Sequence, residues 1–318
     1  MARASGKDIC EIFGYAPDDT SEAARRQWKS QRCPFVGNTC IKHSHPTSGE
    51  VVVYGTCSAV NKPAGATGAG TKMEEVIICP QRFYADDYDV LRTVVRDAVG
   101  CDIPLLSADE YSRRKRNSTV PDDVFVRLGK GSGKEIKLVR REQVSLSLDW
   151  VLARVTGGDL TLIVPCEVQS MDITGNYRAA WEAYRDEAAE VPNSEHGMNW
   201  ANVWKRMIPQ LILKGSIAAT SKLCTSGNYF IVPDRAYVQF EKLLGAVELA
   251  PSPGTGVLTV MTHGLGPTVP RGSIRPLCML RTLRLLTTEL ARSFSAAGEQ
   301  LDLGQILEEK VSSILRGL

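Results

Sequence analysis

The stretch SLDWVLARVTGGDLTLIVPCEVQ (residues 147–169) contains two apolar runs on either side of Gly157-Gly158. Val, Leu, Ile and Thr favour extended strands, and a pair of glycines between two such runs is typical of a tight hairpin turn. The stretch therefore predicts two antiparallel strands. It also places one acidic residue in each of them, Asp149 in the first and Glu167 in the second.

The neighbouring sequence extends this hairpin into a larger sheet. Further strands are predicted from Asp123 to Leu128, Glu135 to Val139, Val144 to Val155, Asn228 to Val232 and Val257 to Met261. Apolar residues at helical spacing predict helices over Tyr177 to Tyr184, Trp200 to Ala219 with a kink at Pro209, Asp234 to Leu244, Arg281 to Ser295 and Leu303 to Leu315. This order predicts an α/β (α+β) fold with a mixed β-sheet flanked by helices.

The first hundred residues predict a smaller module. Asp18-Asp19-Thr20-Ser21-Glu22 is a helix start, and that helix is expected to run toward Trp28 and end before Cys33-Pro34. Strands are expected from Glu50 to Tyr54 and from Glu75 to Ile78, with a helix around Val90 to Ala98. We expect one unit over residues 1–105 and a second over residues 106–318.

The overall composition is that of a packed protein. Of 318 residues, 43% are hydrophobic and 23% charged, with 38 Lys and Arg against 36 Asp and Glu. These values exclude a disordered or collagen-like chain. The sequence has no apolar run of the roughly 18 residues that a membrane span needs, and its start lacks the apolar stretch of a secretory signal. We expect a cytoplasmic protein with no membrane partner.

Positive charge is concentrated in one segment. Residues 111–141 contain ten Lys or Arg against three acidic residues, and the run Arg113, Arg114, Lys115, Arg116 lies in an expected linker from Cys101 to Pro121. Such a run is either a solvated surface or a contact for the phosphates of a nucleic acid. The sequence leaves both interpretations open.

The hairpin carries the residues best suited to chemistry. Asp149 and Glu167 come from adjacent strands, and Gln169 lies two positions beyond Glu167, on the same face of its strand. Two such carboxylates can share a Mg²⁺ ion, as in metal-dependent nucleases, and Glu135 is a candidate third acid. The alternative is a pair of solvated or salt-bridged acids at strand ends.

A second constellation is Cys33-x6-Cys40-x16-Cys57-x21-Cys79. Four thiolates bind zinc or iron tetrahedrally and can stabilise a small module. His43 and His45 compete with Cys40 as ligands. The alternative is four free, buried thiols, and the sequence by itself does not choose between zinc and iron.

Five ordered blocks between residues 10 and 232 resemble the NotI-type restriction endonucleases. They are Arg32-Cys33-Pro34-Phe35, Val76-Ile77-Ile78-Cys79-Pro80-Gln81-Arg82, Ser147 to Ala153, Glu167 to Tyr177, and Asn202-Val203-Trp204-Lys205-Arg206. The resemblance implies a PD-(D/E)XK nuclease core in which Gln replaces the usual Lys, preceded by a four-cysteine iron-binding module. It also implies a homodimer that acts on GC-rich palindromic double-stranded DNA with Mg²⁺.

Residue by residue, the resemblance implies that Asp149 and Glu167 hold the Mg²⁺ ion and that Gln169 replaces the lysine. Glu135 matches an additional active-site acid, and Cys33, Cys40, Cys57 and Cys79 match the ligands of a structural iron or zinc ion. Residues 1–105 would then be the metal-binding module and residues 106–318 the nuclease core with its DNA-binding elements. Arg113, Arg114, Lys115 and Arg116 are candidate DNA contacts because of their charge and not because of the resemblance.

These observations lead to the expectation of a type II restriction endonuclease that cuts both strands of a short GC-rich palindrome and leaves 5′-phosphates. A cognate DNA methyltransferase is expected in the same restriction-modification system. Two alternatives stay open: a metal-stabilised DNA-binding regulator without nuclease activity, and a less specific repair or RNA nuclease on the same core.

Overall fold

The computed structural model describes residues 8–40, 53, 55–61, 74–129, 136–140, 144–175, 177–192, 197–245, 248–300 and 303–317. Within these ranges the strands are β1 (Ile9–Ile12), β2 (Thr56–Asn61), β3 (Glu74–Ile77), β4 (Leu105–Ser107), β5 (Asp123–Gly129), β6 (Ile136–Arg140), β7 (Val144–Leu148), β8 (Trp150–Thr156), β9 (Asp159–Val168), β10 (Ile173–Thr174), β11 (Gly197–Met198), β12 (Asn228–Pro233), β13 (Val257–Leu265) and β14 (Leu277–Leu286).

The helices of the described ranges are α1 (Glu22–Ser30), α2 (Ala85–Val99), α3 (Ala108–Arg116), α4 (Arg178–Arg185), α5 (Trp200–Asn202), α6 (Ile208–Ala219), α7 (Asp234–Leu244), α8 (Thr287–Gln300) and α9 (Leu303–Gly317). A 3₁₀ turn (Pro80–Tyr84) precedes α2, and a π-helical segment (Val203–Met207) joins α5 to α6. None of the helices in the described part of the chain is long and apolar enough to cross a membrane.

A seven-stranded mixed sheet organises the molecule, in the order β14-β13-β12-β9-β8-β5-β4. β5, β8 and β9 form an antiparallel meander, β12 is parallel to β9, and β13 is parallel to β12. The edge strand β14 is antiparallel to β13, and β4 at the other edge is parallel to β5. The predicted mixed α/β architecture is confirmed.

Helices cover both faces of this sheet. The side chains of a central strand alternate between the two faces, and on each face they pack into an apolar cluster with residues from helices. Tyr229 and Ile231 of β12 pack with the buried face of α2, whereas Phe230 and Val232 pack in the cluster that holds residues of α6, α7 and α8. Glu167 of β9 is the register partner of Phe230. The site described below therefore lies under α6.

The hairpin between β8 and β9 closes through the two glycines that predicted it. Gly157 and Gly158 have φ values of 60° and 91°, in the left-handed region that a two-residue hairpin turn requires and that glycine adopts without steric cost. Thr156 and Asp159 pair across this turn. The turn pairs the adjoining ends of the two strands, and a register shift between Arg154 and Val155 then sets the pairing of Trp150 with Cys166 and with it the positions of Asp149 and Glu167.

The amino-terminal part contains a three-stranded antiparallel sheet in the order β1-β2-β3. Its side chains contribute to the same apolar cluster as those of the large sheet: Phe13 meets Trp181 edge to face, with ring centroids 5.6 Å apart. The expected boundary between residues 105 and 106 falls within β4.

One prediction for the first half of the chain needs correction, and another lies mostly outside the described residues. The expected linker from Cys101 to Pro121 instead contains β4 and α3, whose start is capped by the Ser107 side chain accepting the N–H of Glu110 at 3.1 Å. The strand predicted over residues 50–54 lies outside the described residues except Val53, which is in no strand, while the strand β2 was missed.

The helix predicted from Arg281 to Ser295 is wrong in its first part. Residues up to Leu286 belong to β14, which pairs with β13 along its whole length, and α8 begins only at Thr287. The single kinked helix expected from Trp200 to Ala219 is divided into α5, a π-helical segment and α6, with Pro209 in the first turn of α6. Proline is tolerated in that first turn because its missing N–H has no partner there.

Candidate active site and cysteine cluster

The two acidic residues of the hairpin lie side by side at one end of the sheet. Asp149 lies between β7 and β8, and Glu167 is the second-last residue of β9. The antiparallel register pairs Trp150 with Cys166, so the residues next to that pair are neighbours across the two strands. The structure thus brings Asp149 and Glu167 together.

Each carboxylate is held by a main-chain N–H of the other strand. The N–H of Asp149 donates to Oε1 of Glu167 at 3.3 Å, and the N–H of Val168 donates to Oδ2 of Asp149 at 3.2 Å. Hydrogen bonds to carboxylates are stronger than those between neutral groups. These two reciprocal bonds hold the two carboxylates beside each other.

A buried lysine, which the sequence analysis did not single out, completes the group. Lys214 of α6 is 7% exposed, and its Nζ donates to Oε2 of Glu167 at 2.5 Å. One signal for it exists in the sequence, because Lys214 falls on the helix face that also carries Ile208, Leu211 and Ala218. A lysine at a core position of an apolar helix requires a partner.

The electrostatics of the pair favour an additional cation. Burial, and after it the negative charge of Asp149, raises the pKa of Glu167 from 4.5 to about 7, although the Lys214 ammonium and the N–H of Asp149 act in the opposite direction. Two adjacent carboxylates repel each other when both are charged. A bound divalent cation would relieve this repulsion.

The carboxylates open into a small cleft under α6. Met207, Leu211 and Phe230 form an apolar part of its wall, and the amides of Gln169 and Gln210 form a polar part. The lining residues are Asp149, Glu167, Gln169, Met207, Gln210, Leu211, Lys214 and Phe230. Gln169 lies in the same cleft as Glu167, and its Nε2 donates to the carbonyl of Ser170 at 3.0 Å. The cleft therefore contains Asp149, Glu167 and Gln169 together.

A polar groove adjoins this cleft and shares Gln169, Met207 and Gln210 with it. Its other lining residues are Ser170, Met171, Asp172, Asn199, Asn202 and Arg206. Asn202 donates to the Asp172 carboxylate at 3.1 Å, which ties the start of the π-helical segment to the residues after β9. Amide and guanidinium groups of this kind are the usual partners of a phosphodiester backbone.

One glycine allows the site to be assembled. A Cβ on Gly129, at the end of β5, would lie 2.2 Å from the carbonyl oxygen of Asp149 and 2.8 Å from the ring of Trp150. No side chain fits at that distance. The carbonyl belongs to the backbone of Asp149, which precedes Trp150, the residue paired with Gly129, and a backbone atom cannot move aside as a flexible side chain can. Gly129 therefore sets how closely Asp149 approaches the sheet.

The donor set suits a hard divalent cation. Carboxylate oxygens on adjacent strands, an amide oxygen from Gln169 and open space for water are what Mg²⁺ binds. Within the described ranges, however, no group of three or more His, Cys, Asp or Glu side chains already has the arrangement of a metal site. The site therefore offers two carboxylates, and a Mg²⁺ ion bound there would take its remaining ligands from water and substrate.

Two further sequence candidates are placed differently. Glu135 lies outside the described residues. Arg113, Arg114, Lys115 and Arg116 form the last turn of α3, where positive charge is favourable beside the carbonyl end of the helix dipole. Arg114 pairs with Glu110 at 2.8 Å, and the other three side chains of the run are exposed.

Three of the four cysteines lie together, whereas Cys40 packs against the large apolar cluster, and within the described residues the thiols do not have the arrangement of a metal site. Cys33 and Cys40 flank a turn closed by the bridge between Arg32 and Thr39, and the N–H of Cys79 donates to the carbonyl of Cys57 at 3.1 Å beside the pairing of β2 with β3. Cys33, Cys57 and Cys79 belong to one buried cluster. His43 and His45 lie outside the described residues.

The thiols influence each other's ionisation. Burial raises the pKa of Cys33 to about 11, charges on Cys79 and Cys40 raise it too, and the N–H groups of Phe35 and Val36 lower it. A hydrogen bond with Cys79 is the largest cause that raises the pKa of Cys57, followed by burial. Thiols with raised pKa values, such as those of Cys33 and Cys57, are neutral by themselves, and thiolate binding to a metal would have to supply the energy of deprotonation.

Comparison with known proteins adds no family to these observations. No protein-family model matches the chain, and no curated protein matches it either.

Proposed function

We propose that this chain is a Mg²⁺-dependent type II restriction endonuclease with a PD-(D/E)XK-like core, which cuts both strands of a short GC-rich palindrome. The observation that carries the proposal is the pair Asp149 and Glu167, fixed by reciprocal backbone hydrogen bonds in a cleft with Gln169. Such a pair has no evident role in stability, since two adjacent carboxylates, one buried and one half-buried, repel each other when both are charged.

The proposed reaction is hydrolysis of a phosphodiester. The oxygen of one water forms a bond to phosphorus, the P–O3′ bond breaks with its electron pair left on O3′, O3′ takes a proton from solvent, and the attacking water releases one. The products are a 5′-phosphate and a 3′-hydroxyl. When bound, Mg²⁺ supplies charge that offsets the negative charge of the phosphate in the transition state. Asp149 and Glu167 would hold the ion.

The polar groove supports a polymeric substrate. It continues the cleft past Gln169 and carries Arg206, Asn199 and Asn202. A groove that adjoins the cleft and offers amide and guanidinium donors besides the Asp172 carboxylate can contact a phosphodiester chain beyond the bond that breaks. The five sequence blocks that resemble NotI-type endonucleases support double-stranded DNA as that chain.

A homodimer is part of the proposal because two symmetric active sites read and cut the two strands of a palindrome. The four-cysteine cluster is proposed to hold one iron or zinc ion with a structural role, since a closed thiolate shell leaves no position for substrate. The homodimer rests on the resemblance. The structural metal ion rests on the resemblance and on the placement of the cysteines.

The test is cleavage of a plasmid of known sequence by purified protein with MgCl₂, followed by mapping of the ends. We expect discrete fragments with 5′-phosphates. Asp149→Ala and Glu167→Ala should abolish cutting but keep DNA binding, because they remove metal ligands and few DNA contacts. Asp159→Ala is the matched control: it removes an exposed carboxylate at the other end of β9 and should cut normally.

Each contrary result has a defined meaning. Cutting at near wild-type rate by Asp149→Ala or Glu167→Ala would refute the active site. Random or structure-dependent cutting would favour a repair or RNA nuclease. Tight, site-specific binding with no cutting in Mg²⁺ would favour a DNA-binding regulator.

A further inference from the structure

We propose that Lys214 is the cationic residue of this active site. From helix α6 its ammonium group contacts the scissile phosphate and supplies the positive charge that the neutral side chain of Gln169 lacks. The inference rests on the proposed function and assigns to it a residue far in sequence from the hairpin. Three observations carry it: the burial of Lys214, its position in the cleft and the close packing of its helix against α8.

The burial of Lys214 is not explained by stability. Its side chain is 7% exposed and paired with Glu167, whose side chain is 12% exposed. Burying such an ion pair costs more desolvation energy than a pair of apolar residues of the same size would. The same helix face already carries apolar residues, and methionine would fill the same space. A lysine at this position therefore indicates a functional requirement for charge.

Lys214 is also directed to the correct place. It lines the cleft together with Asp149, Glu167 and Gln169. An ammonium group has three N–H donors, and the bond to Glu167 uses one of them. The further donors suit the non-bridging oxygens of a phosphate bound beside the carboxylates. In this role Lys214 acts as a hydrogen-bond donor, and its contribution is to stabilise negative charge in the transition state.

The helix that carries Lys214 is held closely against the fold. A Cβ on the next residue, Gly215, would lie 2.7 Å from the hydroxyl oxygen of Thr287 at the start of α8. The two helices therefore touch at this glycine, and a shift of α6 toward α8 is blocked. A charge placed on a rigid element can stabilise a transition state without the cost of reorientation.

The experiment compares Lys214→Met, Lys214→Arg and the control Lys222→Met, an exposed lysine just after α6. Single-turnover cleavage is measured at saturating Mg²⁺, Ca²⁺ binding without DNA is measured by calorimetry, and thermal unfolding reports the fold. We expect Lys214→Met to cut roughly 100-fold more slowly, Lys214→Arg to recover part of that loss, and Lys222→Met to match wild type.

Calcium binding separates a role in catalysis from one in holding Glu167. Removal of the ammonium that competes for Glu167 should tighten Ca²⁺ binding by Lys214→Met, by roughly tenfold, because a like charge beside the ion is gone. A residue that only ordered the carboxylates would weaken Ca²⁺ binding when removed. Slower cutting combined with tighter Ca²⁺ binding is thus the signature of the proposal.

The overturning results are distinct. If wild type cuts DNA and Lys214→Met cuts within threefold of it, the inference is wrong and the proposed function stands. Weaker Ca²⁺ binding by Lys214→Met gives the lysine a purely organising role and also overturns the inference. If Lys214→Met does not fold, Lys214→Arg decides, since failure of the charge-preserving variant to cut better than a Lys214→Gln variant refutes a role for charge. If wild type does not cut with Mg²⁺, the proposed function fails, and the inference fails with it.

Discussion

Replacing either member of the buried pair Glu11 and Arg82 should destabilise the amino-terminal sheet strongly. Both side chains are 0% exposed. The arginine donates three hydrogen bonds of 3.0–3.2 Å to the carboxylate, and Ser58 adds one of 2.9 Å. Arg82 also donates to the carbonyl of Arg275, in the segment between β13 and β14. The pair therefore connects β1 to the 3₁₀ turn and to the large sheet.

The size of the effect follows from these contacts. Arg82→Met leaves a buried carboxylate with the Ser58 bond and without the three bonds from the guanidinium, and removal of one partner of such a pair typically costs about 3–5 kcal/mol. Glu11→Leu leaves an unpaired guanidinium and falls in the same range. The double variant buries no charge, so its loss should be far smaller than the sum of the two single losses.

The assay is urea unfolding followed by tryptophan fluorescence, because Trp28 is buried in the same region and donates to the carbonyl of Ile12 at 2.9 Å. Arg26→Met is the control, since its ion pair with Glu22 lies on the surface with both side chains largely exposed, and such pairs contribute little. Single losses below about 1 kcal/mol, or single losses that simply add in the double variant, would refute this account of the pair.

Three further predictions concern other parts of the chain. Burial lowers the pKa of His263 from 6.5 to about 4, so between these pH values the unfolded chain binds a proton at this residue that the folded chain does not, and the contribution of His263 to the free energy of unfolding should fall by about 3 kcal/mol as the pH drops from about 6.5 to about 4. Because the raised pKa of Glu167 acts in the opposite direction over this range, the measurement is the difference between wild type and His263→Gln in urea titrations, and that difference should change by this amount. Replacing Arg113 to Arg116 with alanine should weaken binding to all DNA and flatten the salt dependence of the affinity, and an unchanged salt slope would make the end of α3 a solvated surface. Cys57→Ser should lower the iron or zinc content measured by elemental analysis and destabilise the amino-terminal module, whereas full metal content in the variant would show ordinary buried thiols.

The hairpin of the candidate site could be predicted because its signals are local. Two glycines define the turn and apolar runs define both strands. The side-by-side placement of Asp149 and Glu167 also needs the register shift between Arg154 and Val155, which the sequence did not predict. The alternating and helical periodicities also located the central strands of the large sheet and helices such as α1, α4 and α7. These elements bury one or two clear apolar faces, so their patterns are strong.

The rest depends on contacts between distant residues. Lys214 meets Glu167 across 47 positions, and nothing near either residue specifies that contact. The strand β14 lies at a sheet edge, with Met279 and Leu280 about half exposed. Its sequence therefore lacks the alternation of apolar and polar residues that is typical of a half-buried strand, and its second half was predicted to be part of a helix. The small residues of β2 have weak strand preference and are ordered by pairing with strands on both sides.

Gly129 has a genetic consequence. Every missense change in a glycine codon adds at least a Cβ, and at this position that atom would meet the carbonyl oxygen of Asp149 at 2.2 Å. No missense mutation at codon 129 should therefore be silent for the site, although the residue carries no reactive group. In a random mutagenesis screen scored by loss of activity, codon 129 should behave like the codons of Asp149 and Glu167, and a search confined to reactive side chains would overlook it.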